Sequence, residues 1–365
     1  MSDVARFNPV GAAEIQLPCA DLGPSLVFFQ ERLGFRIETI YPADDPTIAC
    51  LSGHGLHLRL APGPGDPGLI RLPCLTLPPQ GERLLTAPNG TRVELVPVDP
   101  LLDEGPFEAA FSISRQGPGS EAAPGRAGML YRDLIPGRLG GRYIASHITI
   151  PHGGPVPDWV HFHKIRFQII YCRAGWARLV YEDQGEPFTF AAGDCVLQPP
   201  LIRHRVLEAS EGFEVVEISS PALHETVADH DMTLPNGRLD RARDFGGQLF
   251  HHHLAAPAPW IAWGQGGVEI RDTGLEEASG GRVGARVMRS QGGRLVPSLP
   301  GGELTLGFIL AGSATLDHAG RHALAAGDAF VIPPGDSWSL DAADKIEVLV
   351  ITTPLADEIG KGQQA

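Results

Sequence analysis

Apolar and polar side chains alternate along most of this chain in short runs broken by glycine or proline, the two-residue period of half-buried strands. Near the N-terminus "AEIQLPCAD" (13–21) reads as a strand, and "LGPSLVFFQERLGF" (22–35) has helical spacing that stops at Gly34. Three more strands follow in "RIETIYPAD", "TIACLSG" and "LHLRLAP", with Gly53 and Gly55 marking the turn between the last two. After the Pro/Gly-rich join "PGPGDPG", Asn89-Gly90 signals a hairpin that leads into "TRVELVP". Residues 113–128 lose the alternation and, being rich in Gly, Pro, Ala and polar residues, are expected to be a linker.

Beyond them the chain repeats itself. "YRDLIPGRLGGRYIAS" (131–146) is echoed by "IRDTGLEEASGGRVGAR" (270–286), "IIYCRAGWARL" (169–179) by "GFILAGSATL" (307–316), and "AAGDCVLQPPLIRH" (191–204) by "AAGDAFVIPPGDSW" (325–338). The period of about 135–140 residues is that of a duplicated domain, far longer than a solenoid repeat. Each copy shows short strands with Gly and Pro turns, which suits a jelly-roll barrel. The expected division is residues 1–112, a linker at 113–128, a first barrel at 129–240, a second at 241–356 and a tail at 357–365. The 45 glycines and 33 prolines fit a mainly β protein of this turn density.

A net charge of −14 without any basic block argues against a nucleic-acid partner. No apolar run reaches the length of a membrane span, and "MSDVARFNPV" lacks a signal-peptide pattern. Five scattered cysteines without a CxxC pair point to a reducing, cytoplasmic setting. Cys172 and Cys195 are expected to pack as small hydrophobes.

The candidate chemistry lies in "WVHFHKIRFQIIYCRAGW" (159–176). Side chains two apart on a strand share a face, so His161 and His163 form a preformed clamp for a divalent metal, with Phe162 turned away. His204 offers a third imidazole after the "QPPLIRH" turn. Gln168 is an odd number of residues from both histidines and joins them only if the chain bends between Lys164 and Phe167. By the same parity Arg203 and Arg205 point away from His204. Arg166 and Tyr181 lie close enough in sequence to hold a carboxylate or move a proton. "HHH" at 251–253 falls outside these segments and reads as a strand with a solvated edge.

Residues 159–206 resemble the cupins. Their first motif, His-x-His, four residues, Glu, six residues, Gly, is matched by His161, His163, Gln168 and Gly175. Their second is matched by Gly193, Pro199 and His204. Gln168 stands where the pattern has glutamate, and Leu201 where it has a turn glycine. The resemblance implies His161, His163 and His204 as metal ligands, with Gln168 a fourth ligand or a neighbour of the metal. In the second copy Ser298, Pro300, Thr305 and Trp338 fall at the four equivalent places, so that barrel is expected to lack metal and to serve as scaffold, site wall or dimer surface.

The N-terminal segment resembles the vicinal oxygen chelate (glyoxalase/bleomycin-resistance) family through its strand-then-"LVFFQERLGF" pattern and the closing "APNGTRVELVP", with a truncated second repeat. That resemblance implies Glu14, His57 and Glu94 as possible ligand positions. None stands in a distinctive context, and the segment is expected to be a structural or substrate-enclosing appendage.

Neutral imidazoles suit Fe(II), Ni, Cu, Mn or Zn alike. Glutamine in place of glutamate leaves the ion close to its full positive charge, which favours an anionic chelating substrate. Cupins with three histidines and no glutamate at that position include ring- and diketone-cleaving dioxygenases. The resemblance thus implies one Fe(II) per chain and oxygenation of a small phenolic acid, hydroxy or keto acid, or diketone. The alternatives are a non-redox isomerase or lyase working through an enolate, and a ligand-binding or sensory protein. A small-molecule substrate and a homodimer or higher homo-oligomer are the expected partners.

Overall fold

The computed structural model describes residues 11–97, 102, 104–117, 119–120, 122–264, 267–296 and 302–354. The chain divides into two compact units at residues 101 and 102. Among the described residues no helix is long and apolar enough to cross a membrane.

In the N-terminal unit, strand Ile15–Pro18 is followed by helix Leu22–Val27, which continues as a wider turn over Phe28–Arg32. Gly34 stops it at φ +77°, a left-handed conformation that glycine adopts without penalty, with its N–H on the Gln30 carbonyl. Ile15–Pro18 runs parallel to Leu56–Ala61, which pairs antiparallel with Ile48–Gly53, and that strand with Arg36–Tyr41. A three-stranded sheet repeats the opening of this plan, Leu69–Cys74 being parallel to Arg92–Pro97, with only a short 3-10 turn at Gln80–Glu82 where the first half has its helix. Phe29, Leu51, Leu58, Leu60 and Val93 are sealed in the core of this unit.

The second unit holds two barrels of similar construction. The first packs a sheet led by Phe167–Ala174 and Phe213–Ser220 against one built on Trp176–Tyr181, His204–Ala209 and His161–His163. The second packs Thr305–Ala311 and Ile346–Thr352 against Ser313–Asp317 and Ser339–Ala342 in the same way. Alternate residues of the two large sheets meet between the barrels: Phe167, Ile169 and Ile218 from one, Leu306, Phe308 and Leu349 from the other. Each such side chain stabilises the junction by about 1.5–3 kcal/mol, so the barrels form one body.

Each barrel also lends the other a strand. Ser112–Ser114 pairs with Ala329–Ile332 of the second barrel, and His251–His253 pairs with Cys195–Gln198 of the first. The twice-used "AAGD" turn seats these crossing segments: Asp328 accepts the Gln116 N–H at 2.8 Å, and Asp194 accepts the Ala255 N–H at 2.8 Å. A Cβ on Gly193 would stand 2.9 Å from the Ala255 side chain, and one on Gly327 would collide with Gln116. The motif survives in both copies for this structural reason.

Three expectations change here. Residues 113–128 are no free connector: Ser112–Ser114 enters the second barrel, Ala123–Pro124 pairs with Leu130–Asp133, and Arg126 reaches the first barrel's histidines. Residues 102–112 fall with the barrels and not with the N-terminal unit. The 251–253 strand lies at a sheet edge as expected, yet His253 is buried and His251 is bonded to the Thr273 carbonyl. The expected tail, 357–365, lies outside the described residues.

Candidate metal centre

His161 pairs across the sheet with His204, and His163 with Thr226, so antiparallel register brings the second motif's histidine beside the first motif's pair. All three point into the barrel. Phe162 faces out, where the Arg203 guanidinium lies 4.3 Å from its ring centre and is paired with Asp229. The metal-ligating nitrogens of His161, His163 and His204 lie within 4.8 Å of one another, the one such group among the described residues.

Each ring is oriented through its other nitrogen. His161 Nδ1 donates to the Trp159 carbonyl at 2.8 Å, His204 Nδ1 to the Ile202 carbonyl at 3.0 Å, and His163 Nδ1 pairs with Thr226 Oγ1 at 2.9 Å. Carbonyls only accept, so Nδ1 of His161 and His204 carries the proton and Nε2 keeps its lone pair. Burial lowers the basicity of all three rings: His161 falls to about 4, helped by Arg126; His163 falls to about 2; His204 lies well below the ordinary value. Three neutral imidazoles fixed by outer partners and grouped this closely are a donor set that fits a divalent ion, once the guanidinium that now lies on His161 Nε2 gives way.

The turn before His204 explains the departure at residue 201. Leu201 adopts φ +65°, the conformation a glycine would take there, and its N–H donates to the His163 carbonyl. The two strands of the triad are thereby tied together.

No protein-family model matches this chain, and no curated protein does. Solved structures resemble it in fold. The oxalate decarboxylase of Bacillus subtilis superposes with a TM-score of 0.50 at 13% identity, over 69% of this chain and 78% of that one. Salicylate 1,2-dioxygenase of Pseudaminobacter salicylatoxidans superposes at 0.49 and 14% identity, over 68% and 86%. A glyoxylate-induced protein of Pseudomonas aeruginosa gives 0.49 and 11%, over 70% and 93%. The fold is that of a cupin. At these identities the likeness speaks for the fold alone.

In this fold the strand change between His161–His163 and Phe167–Ala174 supplies the bend that Gln168 needs, because the two strands belong to different sheets. Gln168 reaches the interior, but its carbonyl oxygen is taken: Gln198 Nε2 donates to it at 2.5 Å. Gln198 in turn accepts the Tyr181 hydroxyl at 3.0 Å, and Gln168 lines the same cavity as the Glu217 carboxylate. Gln168 is therefore a link in a chain of hydrogen bonds and not a free fourth ligand. A glutamate at 168 would bring a second carboxylate into the cavity that Glu217 already lines.

Tyr181 stacks on His204 with ring centres 5.4 Å apart, and burial keeps its phenol protonated. Arg166 does not join the site: its guanidinium is turned to Glu104 at 3.3 Å. Cys172 and Cys195 are buried thiols, as expected, and burial pushes Cys172 up to about 12.

Arg126, Asp158, Gln198, Glu217 and Thr226 escaped the sequence reading. Arg126 donates to His161 Nε2 at 2.9 Å, so it holds that lone pair in this structure and must turn aside for a metal to bind; it also donates to the buried Asp158 carboxylate at 2.5 Å, which gives it an anchor when it does. Asp158 also accepts the N–H groups of Trp159 and Val206, each at 3.0 Å. Arg126 sits in the low-complexity "PGRAG", which carries no local signal of a site. Glu217 projects inward because it alternates with the core residues Phe213 and Val215. That parity was legible in the sequence, but its convergence with Gln168 was not. A cavity of ≈ 60 Å³ adjoins His163 and His204, lined by Ile148, Ile170, Leu179 and Phe190 together with Arg126 and Glu217.

The second barrel is filled. Trp338 stands where His204 does and packs edge-on against Phe330 at 5.1 Å, among Leu316, Leu340 and Val348. Thr305 is buried at the position of Gln168, whereas Ser298 and Pro300 lie outside the described residues. In the N-terminal unit Glu94 is paired with Arg71, Glu14 lies beside Cys50, and His57 is exposed. These three do not form a metal-binding group.

Proposed function

We propose that this chain is a metal-dependent cupin enzyme, an Fe(II) dioxygenase acting on a small anionic oxygenated substrate such as a phenolic acid, a hydroxy or keto acid, or a diketone. The observation that carries this reading is a buried face of three neutral imidazoles with no carboxylate among them. Fe(II) held by His161, His163 and His204 would supply Lewis acidity and one-electron chemistry toward dioxygen. With no anionic ligand, the centre's positive charge remains available to an anionic chelate. Arg126, anchored on Asp158, would add a cation beside the ion after yielding the His161 nitrogen it now holds. Ile148, Ile170, Leu179 and Phe190 wall the cavity beside the triad, whose ≈ 60 Å³ favours a short hydroxy or keto acid over a phenolic one.

A second reading, a non-redox isomerase or lyase, draws on the carboxylate of Glu217 in the same cavity, where it suits proton abstraction beside a polarised carbonyl. Oxygen consumption separates the two. Protein loaded anaerobically with Fe(II) or Zn is screened on 1,2- and 1,3-dioxygenated acids, phenols and diketones with an oxygen electrode. Stoichiometric oxygen uptake with Fe(II) and inertness with Zn are expected. Equal turnover under argon, or with Zn, would transfer the assignment to the isomerase or lyase class.

A further inference from the structure

We propose that the first barrel carries a second small-molecule site, on its flank and apart from the histidine triad, and that this site takes a flat aromatic anion of the aryl carboxylate or sulfonate class.

The site lies where two sheets end. Phe188–Ala191 is the last strand of one sheet of the first barrel, and His251–His253 is the last strand of the other. A pocket of ≈ 740 Å³ opens beside both, within the range that holds a small organic ligand and far larger than the ≈ 60 Å³ beside the triad. Its outer lip, residues 235–241, is fixed by a buried anion. Asp183 accepts from Asn236 Nδ2 at 2.8 Å and from Arg243 at 2.7 Å, and its carbonyl accepts the Asp240 N–H at 2.7 Å. Leu239 bridges to Gln184 on the facing loop. The concavity is therefore a built feature of the fold.

Its lining presents two kinds of surface. The inner wall is aromatic: the rings of Phe188 and His252 lie 4.4 Å apart and 30° from parallel, with Phe250 next to them. Burial lowers the basicity of His252, so this imidazole is an uncharged plate at neutral pH. Leu239 and Leu254 stand at the rim, 61% and 49% exposed. A flat hydrocarbon body would remove this apolar surface from water.

The second surface is cationic. Arg238 and Arg241 both line the pocket. Arg238 is paired with Asp183 and Asp240, whereas Arg241 has neither a hydrogen bond nor an ion partner among the described residues. Glu186, the one carboxylate of the lining, is exposed to water. An unpaired guanidinium beside aromatic plates selects a planar anion, with its rings on the hydrocarbon and its carboxylate or sulfonate on Arg241. Such a body does not fit beside the triad. The two sites are separated by Tyr181, which packs on Phe250 at 4.4 Å and on His204 at 5.4 Å.

The probe is 1-anilinonaphthalene-8-sulfonate, an aromatic sulfonate that fluoresces on leaving water, titrated into the purified full chain. The uncharged N-phenyl-1-naphthylamine is its control. One sulfonate dye per chain is expected, held more weakly as salt rises. Arg241→Glu should weaken it by about tenfold and leave the uncharged dye unchanged, while Arg241→Lys should keep both. Leu239→Asp should weaken both dyes. Arg241 and Leu239 are exposed, so these variants should unfold at the wild-type temperature. His163→Ala should change neither dye, which keeps the result independent of the metal reading. A sulfonate dye that does not bind, several dyes per chain, or equal binding to wild type and Arg241→Glu would each overturn the site. Loss of the dye in His163→Ala would do so too, by placing it in the metal cavity.

Discussion

The side-chain amide of Gln198 lies 2.5 Å from the carbonyl oxygen of Gln168, and that bond decides what Gln168 can do. With its oxygen occupied, residue 168 is held at the wall of the cavity that it shares with the Glu217 carboxylate. A glutamate there would add one more negative charge to that cavity.

Gln168→Glu is therefore expected to keep the metal while weakening any anionic ligand by about tenfold or more, the effect of ~1.4 kcal/mol of added repulsion. Metal content by elemental analysis and titration with a short hydroxy or keto acid check the two halves separately. Wild-type behaviour on both counts would mean that residue 168 exerts no electrostatic influence on the site.

Thr226 orients His163 from a neighbouring strand at 2.9 Å. Thr226→Val preserves shape and removes the partner, so metal affinity should fall by roughly 10–100-fold, as for loss of other outer-shell partners. Competition with a chromophoric chelator measures it, and an unchanged affinity would show that packing alone holds the ring.

One ion per chain is expected, confined to the first barrel. His163→Ala should abolish binding, because two imidazoles do not make a site. Trp338→Ala should keep the ion and lose about 3–5 kcal/mol of stability, since Trp338 is a buried filler of the second barrel. Two ions per chain would overturn the assignment of a single centre in the first barrel.

At the junction between the barrels, His147 donates to Glu214 at 2.9 Å and Arg173 donates to the same carboxylate at 2.5 Å. The His147 hydrogen bond, with Arg173 assisting against the cost of burial, holds Glu214 below its usual range. A depressed carboxylate stabilises the fold above the unfolded-state value of about 4.3, and that stabilisation is lost as pH falls through the folded-state value. Glu214→Gln should accordingly cost about 1.5–3 kcal/mol at neutral pH and converge on wild type in acid, as read from urea unfolding at the two pH values.

The strand periods, the duplication and the ligand triad were legible because each is local. His161 and His163 share a face by strand parity, and the repeated "AAGD" and "PP" turns are adjacent in sequence. The departure at Leu201 was visible as well, and the structure gives its reason in the left-handed backbone kept at that turn. What sequence alone could not determine depends on contacts between distant segments. The crossing strands 112–114 and 251–253 show no local sign that each belongs to the other barrel's sheet. Arg126 reads as part of a linker until the fold lays it against His161, 35 residues on. Arg166 reads as a site residue until the sheet turns it toward Glu104. Periodicity tells which face a side chain occupies, but only three-dimensional packing sets which faces meet, and so it was tertiary structure that placed Gln198 and Glu217 on either side of Gln168.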